Sequence, residues 1–348
     1  MALFALIQRF EEIKYAADQG DANAQYELGR MYEEGRGVKQ DSGKAMQCYL
    51  KAAEQGHAKA QYELGLSYSR LPPNKKNEEE ATRWIQTAME GFRQAAEKGD
   101  AEAQCRLGEI YDMVKNGNRT QNKRIKAVAT ALGFFSGEKD IRWFEEESAK
   151  WFQMATECFR QAAEQGDVKA QFELGGIYCW FLGGRENEEK GALWFHKAAK
   201  QGLADAQYEL GNMYSTGWCV GQQDITEALK WYTRAAEQGH LSAQVHLAKV
   251  YAGGDEFIDI EPHYEEAMRW YLKIAERGDS SACHNIGVMY AKGLGTAQNF
   301  SEARKWLKKA VKSGSANAKK TLQLLESFSN QQGNAQDENA FEQMKFVF

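Results

Sequence analysis

Six histidines (His57, His196, His240, His246, His263, His284) and six cysteines (Cys48, Cys105, Cys158, Cys179, Cys219, Cys283) are the residues of this 348-residue chain best suited to nucleophilic or metal chemistry. Their spacing favours neither. No CxxC pair, HExxH or GxSxG motif occurs, so no zinc set or serine nucleophile elbow can be read from the chain. Cys283 and His284 are chain neighbours; on a helix they point about 100° apart, which suits neither a nucleophile–base dyad nor a shared metal. A phosphate loop is approached once, in GVKQDSGKA at 37–45. There five residues separate Gly37 from Gly43 where a P-loop has four, and Ala45 stands where Ser or Thr would hold magnesium. Carboxylates are plentiful, but none are paired in an apolar setting that would drive their pKa values apart. The expectation is no catalysis, no metal and no cofactor.

Charge and composition point the same way. The 44 basic and 49 acidic residues nearly balance at −5 overall, without the basic excess of a nucleic-acid binder. An apolar share of 43% with 27% charged residues is that of a folded soluble chain. The longest apolar stretch, Ala127–Phe135, is half of what a bilayer-crossing helix needs. MALFALIQRFEE at the start lacks a basic n-region and makes a poor secretory signal. Dispersed cysteines read as small core residues in a reducing compartment, so the expected location is cytoplasmic.

What organises the chain is a repeat. Glycines recur at Gly20, Gly56, Gly99, Gly166, Gly202, Gly239, Gly278 and Gly314, each closing a helix-like segment. After each of the first seven comes a first segment, DANAQYELGRMY at 21–32 and later HAKAQYELGLSY, DVKAQFELGGIY and LADAQYELGNMY. A second follows, KAMQCYLKAAEQG at 44–56 and later EALKWYTRAAEQG and EAMRWYLKIAERG. Both carry small or apolar residues at three- and four-residue steps, the pattern of an amphipathic helix. Each repeat is therefore a helix pair. An inner glycine in the first helix (Gly29, Gly65, Gly108, Gly175, Gly211, Gly287) forgoes about 1 kcal/mol of helix propensity each time. That recurring loss predicts close helix approach, with the second-helix tryptophans (Trp84, Trp151, Trp194, Trp231, Trp270, Trp306) filling the volume beside it.

Departures from the period are local. Two second helices carry seven extra residues, in WIQTAMEGFRQAAEKG and WFQMATECFRQAAEQG, and are expected to stand side by side. An insertion at about 112–146 starts basic, runs through an apolar patch and turns acidic. It reads either as a partner-contacting segment using Arg124, Lys126, Phe134 and Phe135 or as a short helix packed on the two lengthened ones. The expected division is a capping helix at 1–20, repeats at 21–56, 57–99, 100–166, 167–202, 203–239, 240–278 and 279–314, a capping helix at 315–330, and a polar tail at 331–348. The tail's aromatic end is expected to staple onto the final helix, with a short docking motif as the alternative.

The text AxAQYxLGxxY…KAxxWYxKAAEQG resembles the Sel1-like repeat, a relative of the tetratricopeptide repeat, over residues 21–314. The resemblance implies an all-α fold: an α/α solenoid wound as a right-handed superhelix, with seven full helix pairs and partial caps. It also implies a binding scaffold rather than a catalyst, with first helices on a concave wall. Two positions per repeat then face the groove. One gives Tyr26, Tyr62, Phe172, Tyr208 and His284, with Cys105 and Val245 in the same register; the other gives Arg30, Leu66, Glu109, Asn212 and Lys249. Rigid aromatics there suit protein or peptide recognition, unless the rings pack on the neighbouring repeat instead. The expected function is a protein-interaction adaptor, placed by analogy in bacterial signalling or host interaction, with no small-molecule substrate. The alternatives are an immunity-type inhibitor clasping one toxin or effector and, less favoured, a hydrolase of cell-wall or β-lactam amides.

Overall fold

The computed structural model describes residues 2–35, 37–117, 122–133, 140–330 and 345–347. Among the described residues it holds seventeen α-helices, one short π-helical turn and no strand. The chain divides into two compact units, 1–194 and 195–348.

In the first unit α1 (Ala2–Asp18) leads into the pair α2 (Ala22–Glu34) and α3 (Ser42–Glu54), then α4 (Ala58–Arg70) and α5 (Lys75–Glu97). Next come α6 (Ala101–Gly117), the short α7 (Lys123–Ala131), α8 (Ile141–Glu164) and α9 (Val168–Gly176), which runs into the π turn Ile177–Phe181. The unit boundary falls within α10 (Arg185–Lys200). The second unit holds the pairs α11 (Ala204–Thr216) and α12 (Ile225–Glu237), α13 (Leu241–Tyr251) and α14 (Tyr264–Ala275), α15 (Ser280–Lys292) and α16 (Phe300–Lys312), and ends in α17 (Ala316–Asn330). Within each unit, helix pairs stack in chain order.

Local chemistry fixes where the helices begin and end. First helices start at Asp21, Asp100, Asp167 and Asp279, whose carboxylates accept the N–H three residues on at 2.6–2.8 Å. His57 and His240 do the same with Nδ1, at 3.1 Å. Second helices end at the recurring glycine, whose φ lies between 85° and 97°. Only a residue without Cβ adopts that conformation cheaply. At Gly56 it closes a Schellman pair, with Gly56 N–H on the Ala53 carbonyl and His57 N–H on that of Ala52.

The glutamine of each AQ dipeptide explains itself in the structure. Gln25, Gln61, Gln104, Gln171, Gln207 and Gln244 donate Nε2 to the carbonyls of Ala17, Ala53, Ala96, Ala163, Ala199 and Ala236 at 2.9–3.2 Å. Each carbonyl belongs to the last turn of the preceding helix, where it also accepts the N–H of the closing glycine, so the glutamine supplies its second donor. A buried side chain thus stitches one helix pair to the next.

Three expectations are corrected. The residue packed on the inner glycine is the one after the tryptophan position, not the tryptophan itself. A Cβ built on Gly29, Gly65, Gly108, Gly211 or Gly287 would meet Tyr49, Ile85, Phe152, Tyr232 or Leu307 at 2.5–2.8 Å. Tryptophans lie about 100° further round the helix, several of them under a cation, as with Arg234 over Trp231 at 4.6 Å. The second correction concerns the lengthened helices α5 and α8, of 23 and 24 residues against 13 in α3, α12 and α16. Rather than standing side by side, α5 packs chiefly on its own first helix α4 and α8 chiefly on α6, with α6 also touching α5. The insertion's α7 packs on α4, α5 and α6, with Gln86 of α5 donating to the Ala131 carbonyl at 3.1 Å. Third, the ring contacts of the tail residue Phe346 fall on Tyr264 and Tyr271 of α14, where the final helix was the expected partner.

Candidate functional site

The first helices α2, α4, α6 and α9 of the first unit each carry an aromatic or small residue, then a charged one, before the buried leucine: Tyr26–Glu27, Tyr62–Glu63, Cys105–Arg106 and Phe172–Glu173. Half-buried Tyr26 is held on two sides. Its ring stacks on His57 of the next repeat at 4.8 Å and lies 5.9 Å from Tyr49 of its own second helix. Burial pushes its phenol up to about 12, so the hydroxyl keeps its proton and can donate. His57 serves both neighbours. Its Nδ1 caps α4, its Nε2 lies 3.2 Å from Asn23 Oδ1, and its ring face meets Tyr26.

Charges tie successive first helices together. Glu102 of α6 meets Lys59 of α4 at 2.5 Å and Lys169 of α9 at 3.5 Å. Burial alone would raise this carboxyl, but the two ammonium groups hold it below the usual carboxylate range. Arg106 pairs with Glu109 at 2.8 Å and lies within the electrostatic reach of Tyr26, Tyr62 and Glu63. Glu173 is different: burial, helped by Glu109, raises its carboxyl above the usual range.

The second unit repeats the arrangement. Tyr208 of α11 lies 4.8 Å from the His240 ring and 5.7 Å from Tyr232 of α12. His240 caps α13 through Nδ1 and reaches Asp205 Oδ1 with Nε2 at 3.1 Å. Asn212 accepts from the Tyr232 hydroxyl at 2.8 Å and donates to Glu209 at 3.2 Å. His246 of α13 sits on the Tyr232 ring at 4.3 Å, with Asp255 Oδ2 3.6 Å away.

The groove residues expected from the sequence therefore divide. Tyr26, Arg30, Glu109, Phe172, Tyr208, Asn212 and Lys249 are part-exposed on first helices. Arg30 is engaged by Glu34 at 3.0 Å. Tyr62, Leu66 and His284 are corrections: all three are buried and offer no open surface. Tyr62 lies edge-on to Phe92 of the lengthened α5, and Leu66 sits in the same core. His284 Nε2 faces Thr321 Oγ1 of α17 at 2.9 Å. In the insertion, Lys126 is exposed, the Arg124 side chain is not described, and Phe134 and Phe135 lie outside the described residues. Sequence reasoning missed His57 and His240, which cap like aspartate yet also stack, and the row Glu63, Arg106, Glu173, Glu209, Asn285, one residue past the aromatic register. A shallow depression of about 500 Å³ lies elsewhere, between Thr226, Leu229, Lys230, Thr233 and Arg234 of α12 and Tyr251. Among the described residues, no cluster of three or more His, Cys, Asp or Glu is placed to hold a metal, and no helix is long and apolar enough to cross a membrane.

The histidines give a pH signature. Burial lowers His57, His196, His246 and His284 from the ordinary 6.5, so each binds a proton less readily in the fold than in the unfolded chain. Unfolded chain binds more protons below that pH, so stability falls as pH drops through and below 6.5. Glu173 and Glu209, raised by burial, act in the opposite sense at lower pH as their carboxyls protonate in the fold. Melting temperature should be level above about pH 7 and decline below about pH 6.5, with a shallower decline in His246→Gln. Parallel melts at three pH values check this, and an unchanged slope in the variant would contradict the assignment to His246.

Comparison with known proteins places the repeat. The Sel1 repeat family model matches residues 22–57, 58–91, 101–124, 132–167, 168–203, 204–240, 241–279 and 280–315. It therefore finds eight segments where the sequence spacing counts seven full units, two of them in the third unit around the insertion. No curated protein matches the chain. Among solved structures, the chain is similar to c5321, a protective antigen of uropathogenic Escherichia coli strains with an SLR fold, at 23% identity over 96% of this chain and 93% of that one, TM-score 0.39. A Sel1 repeat protein from Oxalobacter formigenes matches at 26% identity over 93% of both chains, TM-score 0.39. Immunity protein Pa5087 from Pseudomonas aeruginosa matches at 20% identity over 74% of this chain and 81% of that one, TM-score 0.39.

Proposed function

The chain belongs to the Sel1 repeat family, and from that premise we propose that it is a non-catalytic adaptor which holds a segment of a partner protein along its first-helix faces. One observation carries the reading. In each unit a part-exposed tyrosine, Tyr26 or Tyr208, is held between a second-helix tyrosine and the capping histidine of the next repeat. Such a ring offers contact area while losing little freedom on binding, the property of an interface anchor. Around it the surface is polar and mixed in sign, with Arg30, Glu63 and Arg106 near Tyr26 and Glu209 beside Tyr208. That composition fits a protein segment carrying both charge and apolar side chains better than a polyanion. All six cysteines are free thiols, which suits a reducing compartment.

Tyr208→Ala tests the proposal. The ring is already partly in water, so its loss should lower stability by only about 1–2 kcal/mol, well short of a core deletion. Loss of a bound partner should be far larger, about 30-fold in affinity if Tyr208 anchors it. Affinity capture from the native host with wild type, Tyr26→Ala and Tyr208→Ala, read by mass spectrometry, provides the measurement. A protein recovered by wild type and lost with either variant supports the reading. Identical recovery by all three, with all three folded, overturns it.

A further inference from the structure

The described end of the tail is not packed as a hydrophobic strap alone. Asn285 of α15 reads the backbone of Val347: its Nδ2 donates to the Val347 carbonyl at 2.9 Å, and its Oδ1 accepts the Val347 N–H at 2.8 Å. A carbonyl can only accept, so this pair fixes the orientation of the carboxamide. His284 Nδ1, 3.3 Å from the same Oδ1, must then carry its proton, and Nε2 must accept from the Thr321 hydroxyl at 2.9 Å. Asn285 is thus held by its neighbour His284, which is itself held by Thr321 of α17. Beside it, the Phe346 ring lies 6.5 Å from Tyr264 and 6.4 Å from Tyr271, near parallel to both.

Two features separate this contact from ordinary end-packing. Recognition of one residue through both its N–H and its carbonyl is indifferent to that residue's side chain, as in strand-type peptide binding. Asn285 also occupies the register of Glu63, Arg106 and Glu209, the residues beside the anchor tyrosines of the reading above. We propose that Tyr264, Tyr271 and Asn285 form a site for an extended peptide bearing an aromatic residue, and that Phe346–Val347 of this chain is its resident occupant, displaced when a partner segment of the same kind binds. The inference rests on the scaffold reading and names the class of segment that scaffold takes at α14 and α15.

A tethered segment is presented to its site at around millimolar effective concentration, so the wild-type chain should bind a free peptide poorly. The experiment uses full-length protein and a fluorescein-labelled peptide with the sequence of residues 343–348, QMKFVF, read by fluorescence anisotropy. Phe346→Ala in the protein should raise peptide affinity about 10-fold or more. Adding Asn285→Ala to that variant should return it to the wild-type level or below, with folding checked by circular dichroism. A peptide in which alanine replaces its phenylalanine at position 346 should bind the Phe346→Ala protein at least 10-fold more weakly than QMKFVF. This last arm needs no change at Asn285, so it stands even if that substitution unfolds the chain. Equal peptide affinity for wild type and Phe346→Ala, or indifference to the peptide's phenylalanine, overturns the inference. If that happens while Tyr208→Ala still loses a host partner, only the tail site falls; if both fail, the scaffold reading falls with it.

Discussion

Trp270→Ala will lower the unfolding free energy by about 3–5 kcal/mol, the range for deleting a large aromatic from a closed core. Trp270 has no exposed surface and lies at the centre of the second unit's core, among residues contributed by α12 to α17. Arg269 and Lys273 stand over the indole at 4.9 and 4.3 Å, so the alanine variant also loses cation–π contacts. Trp270→Phe should behave quite differently. The indole Nε1 is buried without a hydrogen-bond partner, and an unsatisfied buried donor costs about 1–3 kcal/mol. Phenylalanine removes that donor while keeping a ring under the two cations, so its cost should stay below about 1.5 kcal/mol. Because stacked repeats unfold in sections, denaturant melts should be joined to hydrogen exchange. Protection should fall in α13 to α16 and persist in α2 to α6. A phenylalanine variant as unstable as the alanine one would show that the indole N–H is satisfied after all.

How much of this was legible beforehand depends on the kind of information each feature carries. Helix pairs were readable because the closing glycines and the stripe of small and apolar residues are local signals, each set by backbone geometry within a few residues. The phase of a helix against its neighbour is not local. Trp231 and Tyr232 both fit a three- and four-residue spacing, and only the assembled pair shows that Tyr232 meets Gly211. The same limit hid the fate of Tyr62, which shares its register with Tyr26. Tyr26 meets the capping His57, whereas Tyr62 meets Phe92, a residue of the lengthened α5. The row running from Glu63 to Asn285 was passed over because charged residues within an amphipathic helix usually mark its solvated side. Phe346 lies in a segment without periodicity, where sequence offers no register from which to place it.

Gly211 gives the sharpest test of helix phase. By propensity alone Gly211→Ala should stabilise α11 by about 1 kcal/mol. Packing predicts the opposite sign. A Cβ there would sit 2.5 Å from Cδ1 and Cε1 of Tyr232, closer than carbon atoms can approach, so the ring would have to shift. It has little room to do so: its hydroxyl donates to Asn212 at 2.8 Å, lies 3.2 Å from the Ser215 hydroxyl, and its face lies against His246 at 4.3 Å. Overpacking of this kind costs about 1–3 kcal/mol or more, so the alanine variant should be less stable than wild type despite its better helix former. Gly287→Ala makes the comparison. There the new methyl meets Leu307 at 2.7 Å, the branch point of an aliphatic side chain with no hydrogen bonds to hold it, and the cost should be smaller. In the double variant Gly211→Ala/Tyr232→Ala the clashing ring atoms are gone, so the alanine at 211 should again contribute its propensity, and the two changes should couple by at least about 1 kcal/mol in a thermodynamic cycle. Additive effects, or a stabilised Gly211→Ala, would place Tyr232 away from Gly211, and with it the register that sets every aromatic on this face.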